Sequence, residues 1–334
     1  MLLRLHRSTL ERILCLFLFV AILWKGGKAI DATWMLAIVA CGITLADAFL
    51  VPKQEKIAPS IVPWSLALCF LAWTILTFHF SLTKNLGLDE VLQTLSFVLL
   101  FRFALTMPKS RVHHFTSCLA RVVSCAALLA CGIGLVVYTL EPVNRFVGTF
   151  FDYRFDTDYW PNAWAEFLLF AWPLMVWSLF GPPPPRPYRS TLGRATPPRS
   201  LIAGLLIACV LLSYSLGALL VFGVQMLLLL IVWFLHLRSS LSGKGLLKNV
   251  LSIALAAMVF FTLSNQLRSR FHPVQSVLEK ATFTASEGTS SVDERAQFWT
   301  QAIRFAAQKP LFGFGPYSFR FVQPHLQQDV LATS

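Results

Sequence analysis

The chain has 334 residues, of which 56% are hydrophobic and only 13% charged, with a mean hydropathy of +0.64. That is too apolar for a soluble domain of this length, so lipid is the expected solvent. The formal net charge of +12 is carried mostly by short segments between apolar runs, which marks topology and leaves no need for a nucleic-acid partner.

Crossing a hydrocarbon layer of about 30 Å takes roughly twenty helical residues. Apolar runs of that order lie at about 10–25, 32–51, 61–80, 90–107, 115–140, 161–180, 201–216, 218–237 and 249–266. They predict an all-α fold, a polytopic transmembrane helical bundle of about nine spans, because helices satisfy their own backbone in lipid and no strand alternation is present. The first run, in "RLHRSTLERILCLFLFVAILW", shares the basic head and apolar core of a signal peptide. It is followed by "KGGKAID" rather than a small-residue cleavage site, so it reads as a retained helix.

Orientation follows from the basic residues, which accumulate on the cytoplasmic side. With Arg4, Arg7 and Arg12 inside, the inner loops hold Lys53 and Lys56, Lys109 and Arg111, then Arg186, Arg189, Arg194 and Arg199, then Arg238, Lys244 and Lys248. The outer loop 141–160 instead sets Glu141, Asp152, Asp156 and Asp158 against Arg145 and Arg154. Residues 1–266 then form the membrane domain and 267–334 a long outer, periplasmic segment. The stretch "GPPPPRPYRSTLGRATPPRS" at 181–200 is a basic, Pro-rich cytoplasmic linker of extended character, with a polyproline-binding partner as its functional alternative. The seven cysteines, Cys15, Cys41, Cys69, Cys118, Cys125, Cys131 and Cys209, all fall in predicted spans without Cys-x-x-Cys spacing. They read as small apolar residues, with neither a disulfide framework nor a zinc site implied.

Three segments depart from lipid-facing filler. In "SSVDERAQFWTQAIRFAAQKPLFGFGPYSF", Ser291 and Glu294 form a capping box that opens a helix at about 292–308. Lys309 and Pro310 end it, and "GFGP" supplies a turn. Stepping 100° per residue puts Arg295 on one face with Trp299, Ala302, Ile303 and Ala306, opposite Gln301, Arg304 and Gln308. That face is expected to point into the protein, where the guanidinium needs an anion: Glu294, Asp158, a helix end, or a ligand.

The loop "EPVNRFVGTFFDYRFDTDYW" mixes aromatics with charges before a span opening "PNAWAEF". Aromatics at that depth commonly serve as interfacial anchors. Asn162 and Glu166 lie one turn apart at the amino end of that span, where a polar group can meet an anion or a sugar hydroxyl, or simply sit at the interface. In "LLSYSLGALL", Ser213, Ser215 and Gly217 break a run too long for one span. Those hydroxyls either touch a ligand or bond back to helix carbonyls, which is commoner. His113, His114, His272 and His325 lack metal-ligand spacing, so no metal is expected. No nucleophile elbow or phosphate-gripping glycine loop is present, so neither a cofactor nor a directly used nucleotide is implied.

The segment "DERAQFWTQAIRFAAQKPLFGFGPYSF" resembles the Glu-Arg-x-x-x-Trp and Pro-Leu-x-Gly-x-Gly signature of the O-antigen ligase and polymerase superfamily, polytopic bacterial glycosyltransferases of the GT-C type. "VGTFFDYRFDTDYWPNAWAEFLL" is similar to its Gly-Thr-Phe and Pro-Asn-x-x-Ala pattern, and "LLSYSLGALL" to its Ser-Arg-Gly-Ala break. The resemblance implies an inner-membrane enzyme that moves a glycan from an undecaprenyl-diphosphate-linked donor to a hydroxyl of lipid A-core, a glycan or a protein, without metal. It implies that Arg295 clamps the diphosphate, that Pro161, Asn162, Glu294, Gly313 and Gly315 shape the site, and that Arg154 or Arg320 adds a second cation, beside Glu166, Ser213 and Ser215 as candidate substrate contacts read from their positions. Two positions depart from the pattern. Leu216 stands where the family usually has Arg, and the family's His-Asn segment is absent before Ser334, since His325 lies early and lacks a following Asn. The sequence is therefore expected to continue, with that segment and further spans beyond Ser334. Two other functions compete. A transporter of a small anion or lipid-linked sugar would show mid-span ionisable groups and a repeat, yet Arg102 and Arg121 lie near the inner face. A non-catalytic scaffold for polysaccharide assembly is the other.

Overall fold

The computed structural model describes residues 6–24, 26, 30–81, 83–143, 145–152, 158–180, 199–232, 234–235, 243–274 and 291–319. Among them are ten α-helices: α1 (Arg7–Leu23), α2 (Ile30–Leu50), α3 (Ile61–His79), α4 (Lys84–Leu105), α5 (Lys109–Leu140), α6 (Pro161–Phe180), α7 (Arg199–Leu212), α8 (Leu216–Val232), α9 (Gly243–Arg268) and α10 (Ser291–Gln308). A helix overlies each apolar run. Four are long and apolar enough to cross a membrane, at Ala32–Leu50, Ile61–His79, Lys109–Leu140 and Leu247–Arg268, and Ser200–Leu212 and Leu216–Val232 are shorter apolar helices. The chain is a multi-pass membrane protein. α4 and α5 begin at Lys84 and Lys109, several residues before the apolar runs they contain, because a helix continues through charged turns that hydropathy alone leaves out. The one non-helical pairing among the described residues is an antiparallel two-residue ladder, β1 (Phe151–Asp152) with β2 (Asp158–Tyr159).

The chain divides into two compact units. One comprises 1–14, 28–114 and 283–334, and the other 15–27 and 115–282.

In the first unit α4 packs against both α2 and α3, and the indole of Trp34 donates to Asp89 Oδ1 at 3.1 Å to pin α2 on α4. The carboxyl end of α4 is closed by Arg7, which is wholly buried. Its Nη1 donates to the Thr106 carbonyl at 2.6 Å and its Nη2 to the Phe103 carbonyl at 2.5 Å and Thr106 Oγ1 at 2.8 Å. The last carbonyls of a helix lack intrahelical donors and carry the negative end of its dipole, so a guanidinium there answers both needs. Carboxylates surround it. Asp47 Oδ1 lies 3.8 Å from Arg7 Nε, and Glu55 Oε2 accepts from the Arg7 backbone at 3.1 Å. Arg111 Nη1 lies 3.4 Å from Glu11 and 3.6 Å from Glu55.

In the second unit α7 packs along α9, and α6 against α7 and α8. Gly204 lets α7 approach closely, since a Cβ there would stand 2.5 Å from that of Ala256 in α9, the small-residue contact expected between helices in lipid. The core is aromatic. Trp164 is fully buried among Phe146, Phe150 and Phe167, with ring centroids 5.9, 4.9 and 5.4 Å away. Trp172 Nε1 donates to Gln225 Oε1 at 2.8 Å, and Gln225 Nε2 donates to the Leu169 carbonyl at 3.1 Å, so α6 and α8 share a satisfied polar bridge inside an apolar layer.

Candidate functional site

In the second unit, the loop after α5 is stitched to the end of α7. The Phe146 amide donates to the Leu212 carbonyl at 3.0 Å, and Thr149 Oγ1 to the Ile22 carbonyl at 3.2 Å. Gly148, in the "VGTF" motif, has φ +55, and a Cβ on it would lie 2.5 Å from the Trp164 ring. Only glycine both adopts that backbone conformation and fits against the indole. The loop thereby delivers the chain to α6, whose first helical residue is Pro161, pre-set for a helix start. Asn162 follows it, exposed, and Glu166 is exposed one turn on.

The break between α7 and α8 is sharp. Tyr214 takes a left-handed φ of 48, and Ser213, Tyr214 and Ser215 are 0%, 3% and 7% exposed. Ser213 Oγ donates back to the Val210 carbonyl at 2.6 Å and accepts from the Ser215 amide at 3.4 Å. Its hydroxyl thus serves the turn, as helix-end serines commonly do. The Ser215 carbonyl accepts the first helical bond of α8, from Leu219 at 2.9 Å.

Four residues that sequence reasoning passed over hold this break. Arg145 donates from Nε to the Ser213 carbonyl at 2.7 Å and from Nη2 to Asn162 Oδ1 at 2.6 Å, tying the break to the amino end of α6. Tyr138 donates from its hydroxyl to Asn265 Oδ1 at 2.9 Å, and Asn265 Nδ2 donates to the Tyr214 hydroxyl at 3.3 Å. Arg268, 1% exposed, donates from Nη1 to the carbonyls of Tyr138 and, at 3.2 Å, Glu141, and from Nε to Pro273 at 3.3 Å. It lies over the Tyr138 ring at 4.6 Å, and a His272 ring nitrogen reaches the Leu140 carbonyl at 2.9 Å. Arg268 and His272 together cap α5. Sequence spacing could not reveal these pairings, because most of the partners, side chains and backbone carbonyls alike, lie far away in the chain.

In the first unit α10 covers the expected helix, but its face is corrected. Trp299 and Ile303 are 72% and 67% exposed and Ala302 and Ala306 are exposed, whereas Phe305 and Gln301 are buried. Phe305 packs edge-on against Phe314 and Phe319, with centroids 5.3 and 5.9 Å away. The chain beyond the helix folds back and sets the inward face at Gln301 and Phe305. The side chains of Ser291, Glu294 and Arg295 lie outside the described residues, so Arg295 is placed only by its position in the first turns of α10. Arg154, Arg320, His325 and the linker at 181–198 also fall outside them.

The glycine turn has a definite job. Gly315 has φ +87, and a Cβ there would come within 2.4 Å of Ser81 Cα, so this turn is pressed onto the segment between α3 and α4. Ser81 Oγ donates to the Pro316 carbonyl at 3.0 Å, and Ser318 Oγ donates to Phe314 at 2.6 Å. At Gly313, φ +60, a Cβ would meet only the Gly315 backbone nitrogen, at 3.9 Å. Beside it Phe312 stacks on Trp73 at 5.5 Å and contacts Phe80 at 5.1 Å, while Lys309 Nζ stands 4.5 Å above the Phe314 ring. Among the described residues no three His, Cys, Asp or Glu side chains gather where a metal could sit.

Residues 201–333 match the family described as O-antigen ligase. The matched stretch takes in the α7–α8 break, α9, α10 with Arg295, and both glycines of the turn; the "VGTF" and "PNAWAEF" motifs precede it. No curated protein and no solved structure matches the chain.

Proposed function

Starting from residues 201–333, whose match supports the O-antigen ligase and polymerase superfamily, we propose that the full-length protein transfers a glycan from an undecaprenyl-diphosphate-type carrier to a hydroxyl acceptor at the outer face of the inner membrane. The family match carries this reading, and the basic inner loops supply the orientation. In the reaction the acceptor oxygen attacks the anomeric carbon. The bond from that carbon to the diphosphate oxygen breaks, the diphosphate departs with the electron pair, and the hydroxyl proton passes to the medium. Negative charge grows on the leaving group, so cations fixed beforehand lower the barrier most.

Arg295 takes that role, because a planar guanidinium matches phosphate oxygens in pairs. Glu294 precedes it in the same turn, and Gly313 and Gly315 set the segment that follows α10. Pro161, Asn162 and Glu166 at the opening of α6 form the donor-binding set, Ser213 and Ser215 hold the turn at the break, and Arg154 or Arg320 supplies a second cation. Acceptor identity, whether lipid A-core, glycan or protein, follows from pocket shape.

The test is reconstitution. Full-length protein in proteoliposomes, given an undecaprenyl-diphosphate-linked glycan and a hydroxyl acceptor with EDTA and without nucleotide, is expected to release carrier diphosphate in step with glycosylated product. Movement of the intact donor across the bilayer without bond cleavage would establish transport instead, and binding with neither outcome would leave a scaffold.

A further inference from the structure

The apolar stripe that α10 leaves exposed runs into a surface whose solvent is already lipid. We propose that α10 is an interfacial helix, docked on the leaflet that α3 leaves at His79, with the face of Phe298, Trp299, Ala302, Ile303 and Ala306 turned to the lipid.

The level of α10 is set by α3. Although α3 packs against α4, none of its nineteen residues is buried, and Leu66, Phe70 and Trp73 are all exposed along it. In a multi-pass membrane protein so open a span is solvated by lipid. Its length, about 29 Å at 1.5 Å per residue, matches the hydrocarbon thickness, so its ends mark the two interfaces. The chain that follows α10 is fastened at one of those ends. Ser81, two residues past the helix, donates from Oγ to the Pro316 carbonyl at 3.0 Å, and Phe312 packs on Phe80 at 5.1 Å. Phe312 also stacks on Trp73 at 5.5 Å, a residue roughly 9 Å inside the end of α3. The carboxyl end of α10 is thereby held at the interface, with one ring reaching below it.

The two faces of α10 fit that level. Steps of 100° gather Phe298, Trp299, Ala302, Ile303 and Ala306 on one side, and all five are exposed. Gln297, Arg304 and Gln308, exposed on the opposite side, are polar. A helix with an aromatic and aliphatic face and a polar back lies in the plane of a membrane surface, where Trp is favoured at headgroup depth. The stripe continues through exposed Leu311 and Phe312 to Phe80 and Trp73, so one apolar surface joins α10 to the lipid-facing span. A protein partner on the stripe would meet lipid along its margin, whereas the bilayer covers both parts at once. Exposed cations stand at the same level: Lys84 donates to the Phe78 carbonyl at the end of α3, and Lys309 follows α10 directly. Ammonium groups on long stems suit the phosphates of a headgroup layer. A docked α10 keeps its length at headgroup depth, which in the transfer reading is the depth of the carrier diphosphate; the docking itself does not depend on that reading.

Photo-crosslinking of the full-length protein, in nanodiscs of phosphatidylethanolamine with phosphatidylglycerol and without donor or acceptor, tests it. With p-benzoylphenylalanine replacing Trp299 or Ile303, mass spectrometry is expected to find phospholipid adducts. Replacement of Gln297 or Gln308 is expected to give none above background. Crosslinks from 299 and 303 to a second copy, or to another segment of the same chain, in place of lipid would overturn the docking. So would equal lipid adducts from both faces, or none from either. Should a substituted protein fail to assemble, the wild type can be labelled from the lipid side by a phospholipid carrying a diazirine close to its headgroup. Adducts on α10 at Trp299 and Ile303 are then expected, and labelling confined to the membrane spans sinks the proposal.

Discussion

Two buried arginines close the carboxyl ends of two helices, one in each unit, and they are answered differently. Arg7 caps α4 from within a cluster that also contains Asp47, Glu55, Glu11 and Arg111. Arg268 caps α5, and among the described residues its hydrogen bonds go to carbonyl oxygens, with an aromatic ring against its face. Dipole and orphan carbonyls explain both placements. The carboxylates make the difference. Around Arg7 the charge is neutralised inside the protein, as suits a joint. Among the described residues Arg268 is met instead by backbone dipoles and the Tyr138 ring, and the hydrogen-bonded chain through Tyr138 and Asn265 leads to the turn that seats Arg145.

Removing each cation should expose that difference. The largest effect is expected for Arg7→Met, which strands buried carboxylates and lowers stability by roughly 3–5 kcal/mol, read by thermal unfolding in detergent. Adding Asp47→Asn should return part of it, because the stranded charge is what costs most. Next comes Arg268→Met, which strands carbonyls only and should cost about 1–3 kcal/mol. Equal losses, or a larger one for Arg268, would break the distinction between a cap met by carboxylates and one met by dipoles. The smallest is Gly315→Ala, expected to cost on the order of 1–2 kcal/mol through backbone strain and contact with Ser81, with Gly313→Ala milder because nothing crowds that position.

The helices were legible because apolar runs long enough to cross lipid carry their own secondary structure. Their inward faces were less so. On α10 the stripe of Trp299, Ala302, Ile303 and Ala306 suggested the buried side, and the structure buries Gln301 and Phe305 instead. Helix periodicity sees only the helix itself, and Phe305 is claimed by Phe314 and Phe319, which return only after the glycine turn. Ser213 was legible, since its back-bond to Val210 is the habit of serines at helix ends. Arg145 was read as one loop charge among several. Nothing in its spacing tells that it bridges Asn162 and Ser213.

The claim of a diphosphate-clamping arginine is tested most directly by single-turnover glycan transfer with full-length wild-type protein, Arg295→Lys and Arg304→Lys, two changes of the same kind on the same helix. The account predicts at least a tenfold fall in transfer rate for Arg295→Lys, where charge stays and fork geometry goes. It predicts a wild-type rate for Arg304→Lys, whose side chain is exposed. Undiminished transfer by Arg295→Lys, or equal losses in both variants, would contradict it.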